Sequence, residues 1–222
     1  MKKFLPVALL LATLLPFSLS ATSPLPKVAE SVKPLQIRSL VLSEDATSAE
    51  LTFRNICTVT SINQKLHLWL TAAHCVASEE DPFAISFEDF TIGGFTATVR
   101  RVDFSNDLAV LHTKDFFLPA LKVATKAPTY GDTMVIWGHP FGAPDLVYVR
   151  GFVAAPVFNI FDKQFLLFSA PIAPGNSGSA VLNARNEVVS VAQVVFAYFP
   201  AFEPVGGGAP FSVLKEFLVG VM

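Results

Sequence analysis

Leu66-His67-Leu68-Trp69-Leu70-Thr71-Ala72-Ala73-His74-Cys75 sets an apolar run directly before a histidine and a cysteine. The run reads as a strand whose end delivers His74. Outward from it the chain is built of similar short segments, most of them rich in Val, Ile, Phe and Thr and separated by Gly, Pro, Asn or Asp. Beside Leu66–Thr71 the candidates are Ile37–Leu42, Ala49–Asn55, Thr58–Asn63, Phe83–Phe87, Phe95–Arg101 and Ala109–Thr113. A second set comprises Thr133–Trp137, Leu146–Ala155, Phe165–Ala170, Ala180–Leu182 and Val188–Ala197. Such spacing predicts an all-β sandwich or barrel. The linker Lys122–Tyr130 divides the strands, so two small barrels are expected, 37–121 and 122–222, with the cleft between them as the default place for a site. Helical periodicity is convincing only in Pro210–Leu218. There Pro210 fits the first turn, and Val213, Leu214, Phe217 and Leu218 share a face.

The 222 residues carry 16 Lys+Arg against 18 Asp+Glu, with 52% hydrophobic and 15% charged residues and 21 Phe. That charge content, set against roughly 25% in an ordinary domain, excludes disorder for the bulk of the chain. A net charge of −2 offers no basic excess for a phosphate backbone, so no nucleic-acid partner is expected. Residues 1–20 combine Lys2 and Lys3, an apolar run from Phe4 to Leu19, and small residues at Ser18-Leu19-Ser20. They read as a secretory signal cut after Ser20, with a retained membrane anchor as the alternative. Their removal takes away two Lys and no acid, leaving 14 basic and 18 acidic residues on an exported, periplasmic or extracellular protein. Residues 21–36 hold three prolines and read as an extended lead-in rather than a packed element.

Export bears on the two cysteines, Cys57 and Cys75. In an oxidising compartment they can form a disulfide worth about 3 kcal/mol by loop entropy; two buried free thiols are the other reading. Metal ligation has little support, because apart from the adjacent His74 neither cysteine has a second Cys or His at ligand spacing.

Three local signatures carry chemistry: Thr71-Ala72-Ala73-His74-Cys75, Asn106-Asp107-Leu108-Ala109-Val110-Leu111, and Pro174-Gly175-Asn176-Ser177-Gly178-Ser179-Ala180. A serine hydroxyl is a poor nucleophile. It needs a base within hydrogen-bond reach, and that imidazole needs a third group to hold its tautomer. His74 can be the base, Asp107 the orienter and Ser177 the nucleophile. Glycines beside the serine let the amides of Gly175 and Ser177 face a developing oxyanion, where one donor is worth about 2.7–4 kcal/mol.

These motifs, in the order His, Asp, Ser, resemble the trypsin/chymotrypsin-like serine peptidases. Leu118-Pro119-Ala120-Leu121-Lys122, Gly131-Asp132 and Trp137-Gly138-His139-Pro140-Phe141-Gly142 further resemble the HtrA/Deg branch. The likeness spans roughly residues 49–200. It implies two six-stranded antiparallel β-barrels with a short C-terminal helix, a peptide or protein substrate, and no metal or organic cofactor. An α/β-hydrolase is disfavoured, since Ser179 breaks Gly-x-Ser-x-Gly and here the histidine comes first.

Departures from the pattern matter. Ser179 stands where a second glycine is usual, and it suits the turn only if the backbone there does not demand positive φ. His139 replaces the usual Asn. Cys75 is a trypsin-like feature, with Cys57 well placed to pair with it. The 45 residues after Ser177 are too few for a PDZ domain. Asn176 has no charge to pair with a new N-terminus, so activity without zymogen cleavage is expected. The resemblance puts Pro171 at the base of the primary specificity pocket and Val189–Gln193, including Val191 and Gln193, along its wall. No acid stands there, which disfavours cleavage after Arg or Lys and favours small or medium apolar residues.

His67 and His112 read as strand residues without a role, and His139 as a loop residue near the cleft. Val194-Val195-Phe196-Ala197-Tyr198-Phe199-Pro200-Ala201-Phe202 reads as core strand plus packed loop, or else as a patch gripping unfolded substrate or, weakly, a membrane surface. The function expected is a serine endopeptidase working through an acyl-enzyme. The alternative is a silent binding protein on the same scaffold, its catalysis lost at the Gly178-Ser179 turn.

Overall fold

The computed structural model describes residues 27–42, 49–76, 89–160, 162–197 and 204–222. The proposed signal segment, the candidate strand Phe83–Phe87 and the aromatic loop from Tyr198 to Phe202 lie outside them. A single turn, α1 (Lys27–Glu30), leads into β1 (Val32–Leu42), β2 (Ala49–Asn63), β3 (Leu68–Thr71), β4 (Asp89–Ile92), β5 (Phe95–Asp103) and β6 (Leu108–Thr113). These strands close in the order β1-β2-β3-β6-β5-β4. The second barrel uses β7 (Thr133–Gly138), β8 (Val147–Ile160), β9 (Lys163–Phe168), β10 (Ala180–Leu182), β11 (Val188–Phe196) and β12 (Val205–Gly208), closing as β10-β11-β12-β9-β8-β7. All the pairings are antiparallel, and α2 (Phe211–Leu218) ends the chain's regular structure. Two closed six-stranded barrels and one short C-terminal helix are therefore the fold.

Local physics explains where elements depart from the sequence reading. From Lys27 on, the lead-in is packed: Val28, Ala29, Val32 and Leu35 are buried, and β1 begins at Val32. Pro34 is tolerated because it stands just before Leu35–Arg38, the stretch paired with β4, where β1 has β2 on one side only. Two candidate strands merge into β2, since the gap between them is a bulge that sets Leu35 against Cys57 and Gln36 against Asn55. His67 is not a strand residue: it takes φ 51, and its Nδ1 faces the carbonyls of Thr113 and Lys114. β12 (Val-Gly-Gly-Gly) has no β-type composition. It is a strand because its backbone pairs on both sides, with β11 and β9.

Among the described residues, one of two core clusters spans both barrels, while Met134, Ile136, Leu166 and Phe168 belong to a second cluster within the second barrel. In the spanning cluster, Leu35, Val59, Trp69, Leu70 and Leu111 of the first barrel are continuous with Val135, Leu182, Val188 and Val191 of the second and with Leu214, Phe217 and Leu218 of α2. The indole of Trp69 is fully buried and donates to Thr113 Oγ1 at 2.9 Å, so its one polar atom is satisfied. The helix belongs to the second half of the chain but is capped by the first: Arg101 of β5 donates to Val219 O at 2.9 Å and lies over the Phe217 ring. The chain is held to the first barrel just before the linker, Leu121 N donating to Ser61 O, and to the second at its start, with Val188 N donating to Lys122 O and Ala124 N to Val188 O. The seam between the barrels is thus fixed by packing and by backbone bonds together.

Cys57 and Cys75 form a disulfide, tying β2 to the short 3-10 turn Ala73–Cys75 that carries His74. Replacing both by alanine should lower unfolding free energy by about 3 kcal/mol. Urea titration should show an earlier midpoint; an unchanged midpoint would contradict a stabilising role for the bridge.

Candidate active site

Thr71 ends β3 fully buried, and the chain then turns through Ala72 into Ala73-His74-Cys75. Asp107 lies in the turn before β6, which pairs with β3 from Ala109 opposite Thr71. That pairing brings the turn beside the 3-10 segment. One carboxylate serves His74 twice: Oδ1 accepts from the His74 backbone N–H at 2.8 Å and Oδ2 faces the ring Nδ1 at 2.8 Å. A carboxylate only accepts, so Nδ1 carries the proton and Nε2 of the neutral ring presents a lone pair. The imidazole keeps 44% of its side-chain surface, which leaves it open to the cleft.

Asp107 takes φ 50, a left-handed conformation that a non-glycine residue adopts at a cost. The turn is held from two directions. Within the first barrel, Asp103 accepts from Asn106 N at 3.1 Å and from its side-chain amide at 2.8 Å. Across the cleft, Gln193 of β11 donates through Nε2 to the carbonyls of Asn106 and Asp107, both at 2.7 Å. Two carbonyl acceptors can be served only by an NH₂ group, which fixes the orientation of this amide.

The segment Pro174–Ala180 approaches from the second barrel. Thr58, fully buried on β2, donates its N–H to Ser177 O at 2.9 Å and its hydroxyl to Gly175 O at 2.9 Å. The same hydroxyl oxygen accepts from His139 N at 3.0 Å, and Thr58 O accepts from Thr71 Oγ1 at 2.9 Å. Gly178 has φ 84, and a Cβ there would lie 2.1 Å from Thr71 Oγ1 and 2.3 Å from Thr58 O. Only glycine allows the residue after Ser177 to press against the strand that delivers His74. Ser179 is not among the residues with positive φ, so a serine suits the turn; its buried hydroxyl has no partner among the described residues. The N–H groups of Gly175 and Ser177 make no hydrogen bond among the described residues, and both are available as donors.

A cavity of about 780 Å³ opens beside His74 and Asp107, lined also by Phe104, Phe165, Gln193 and Val194. Of the three residues expected at the specificity pocket, Gln193 lines this cavity, Val191 is fully buried in the shared core, and Pro171 is exposed. The sulfurs of Cys57 and Cys75 lie within 4.8 Å of a His74 ring nitrogen, but they are bonded to each other and neither is a thiolate that could ligate a metal. Thr58 and the clamping role of Gln193 escaped the sequence reading. Their partners are 117 and about 86 positions away, and no local pattern marks such contacts.

His139 lies beside the Pro174–Ala180 segment, its carbonyl against Gly175. Its ring is buried, Nδ1 meets Ala143 O at 3.0 Å, and Nε2 has no partner among the described residues. Burial, with Lys33 adding to it, pushes its pKa below the ordinary 6.5 against the opposing pull of Ala143 O and Asp145. The fold therefore favours the neutral ring. That contribution is complete above pH 6.5 and is lost as pH falls from there through the lowered folded-state value. Urea midpoints measured from pH 7.5 to 5 should fall, and His139→Asn should flatten the slope; parallel slopes would contradict this.

A family model for the trypsin-like peptidase domain matches residues 57–191. The chain is 32% identical over 121 residues to a probable periplasmic serine endoprotease, DegP-like, of Chlamydia pneumoniae, covering 52% of this chain and 25% of that protein. A protein of the same description in Chlamydia trachomatis is 30% identical over 129 residues, with 56% and 26% covered. The chain thus spans about a quarter of the length of these curated relatives. Among solved structures, the HtrA-type protease AlgW with decapeptide superposes with TM-score 0.72 at 19% identity, covering 88% of this chain and 65% of that one, a likeness of fold.

Proposed function

The chain belongs to the trypsin-like peptidase family, and from that premise we propose that it is an exported serine endopeptidase acting through Ser177, His74 and Asp107. The observation that carries this reading is the pair of hydrogen bonds that His74 donates to Asp107 on one barrel, with the carbonyl of Ser177 docked onto β2 of that same barrel. Ser177 Oγ attacks the scissile carbonyl carbon, and His74 Nε2 takes the hydroxyl proton. The oxyanion is received by the free N–H groups of Gly175 and Ser177. As the C–N bond breaks, the imidazolium returns its proton to the leaving amine, giving an acyl-enzyme. Water, deprotonated by His74, then attacks the ester and releases the acid and the free serine. Asp107 holds the tautomer throughout and stabilises the transient imidazolium.

Substrates are peptides or proteins. The absence of an acid at Pro171 and Val189–Gln193 favours small or medium apolar residues over Arg and Lys. Asn176, buried and uncharged, supports activity without an activating cut. The relatives named as periplasmic, together with residues 1–20, support export. The silent-scaffold alternative rested on the Ser179 turn, whose backbone accommodates serine.

Purified protein should take up one fluorophosphonate per chain without prior nicking, and Ser177→Ala should take up none. Asp107→Asn should retain the fold and lose about 10⁴-fold in kcat, the loss that follows a wrong histidine tautomer. A folded protein that resists labelling would overturn the reading.

A further inference from the structure

We propose that the Thr58 hydroxyl is a positioning residue for the oxyanion loop, acting from the opposite barrel; the inference rests on the serine-peptidase reading above. The two free donors, Gly175 N–H and Ser177 N–H, have fixed directions only if the peptide planes around them are fixed. Four successive carbonyls of the loop are tied. Pro174 O accepts from Phe141 N, Gly175 O from Thr58 Oγ1, Asn176 O from Ser179 N and Ser177 O from Thr58 N. The first tie orients the plane that holds Gly175 N–H, and the third orients the plane that holds Ser177 N–H.

The second tie lies between them, at Gly175, a glycine at φ 94, and of the 175–176 peptide it holds the carbonyl end, the N–H end donating from Asn176 to Ala173 O at 3.0 Å. A hydroxyl that accepts from His139 N and has a single proton to give must donate that proton to Gly175 O. Thr58 therefore adds a tie at the carbonyl end of that peptide, from the opposite barrel, and links it to the His139 loop that also holds Pro174 O. Of the four ties this alone depends on a side chain, so substitution can remove it while leaving every backbone group in place. Thr58 touches neither substrate nor reacting atoms. Its effect is on how well the donors meet charge that exists only in the transition state, which alters kcat rather than KM.

The test is steady-state hydrolysis of 4-nitrophenyl butyrate, with fluorophosphonate labelling in parallel, on wild type, Thr58→Val, Thr58→Ala, Thr58→Ser and Thr60→Val. Thr60 is the internal comparison: buried on the same strand, its Oγ1 accepts from Ala180 N at 3.3 Å, outside the oxyanion loop. Thr58→Val and Thr58→Ala should lose about 10- to 100-fold in kcat with KM changed less than about threefold, the scale of a donor set shifted but not deleted. Thr58→Ser should stay within about threefold of wild type, and Thr60→Val should lose stability without that loss of kcat. Should Thr58→Val not fold, the Ser and Ala variants carry the comparison at matched folded fraction. Equal kcat in the hydroxyl-bearing and hydroxyl-free variants, or an equal loss in Thr60→Val, overturns the role of Thr58. A wild type that neither labels nor turns over overturns the serine-peptidase reading instead.

Discussion

The amide of Thr58 donates to the carbonyl of Ser177 across the seam between two barrels, at 2.9 Å. Each barrel carries only part of the candidate chemistry, so the relative position of the parts is set by whatever crosses that seam. Thr58 is fully buried, and all three of its polar atoms are engaged with the nucleophile loop, the His139 loop and the strand before His74. A net hydrogen bond is worth about 1 kcal/mol, while a buried donor or acceptor left unpaired costs about 1–3 kcal/mol. A displaced seam would strand several such groups at once. The barrels therefore dock in one register or pay a penalty comparable to a large part of an ordinary domain's stability of about 5–15 kcal/mol.

The same logic explains Asp107. Its left-handed backbone is a local cost, and Asp103 from below and Gln193 from the opposite barrel hold it in place. Strain of this kind persists where surroundings over-determine it. Here the result is a carboxylate aimed at two donors of one histidine. The disulfide secures that histidine's turn to β2, the strand that also bears Thr58. The His74 turn and the Pro174–Ala180 segment are thus both referred to β2, with Asp107 joined to them through His74.

Much of this was legible in the residues. The short Val-, Ile-, Phe- and Thr-rich segments, divided by the linker Lys122–Tyr130, read as two barrels because such residues suit a pleated surface, and Ala180–Leu182 even kept its bounds. His74 and Asp107 could be paired from their motifs, and the structure brings them within a hydrogen bond. What was illegible depended on contacts distant in sequence. Val205–Gly208 is a strand by virtue of its neighbours' backbones alone. Thr58 reads as one more β-branched strand residue until a loop 117 positions away is laid against it. Gln193 reads as pocket wall, and the reading gives no sign that its amide also spans the cleft to the Asp107 turn.

Rapid mixing with an activated ester reports whether this seam assembles a working nucleophile. With 4-nitrophenyl butyrate in excess, a site of this kind should release nitrophenolate in a burst approaching one equivalent per chain before the slower steady state, because acylation of Ser177 precedes hydrolysis. The butyryl mass should be found on the peptide containing Ser177. Release that is linear from the first milliseconds, with no butyryl group on that peptide at any time, would contradict a working nucleophile at Ser177.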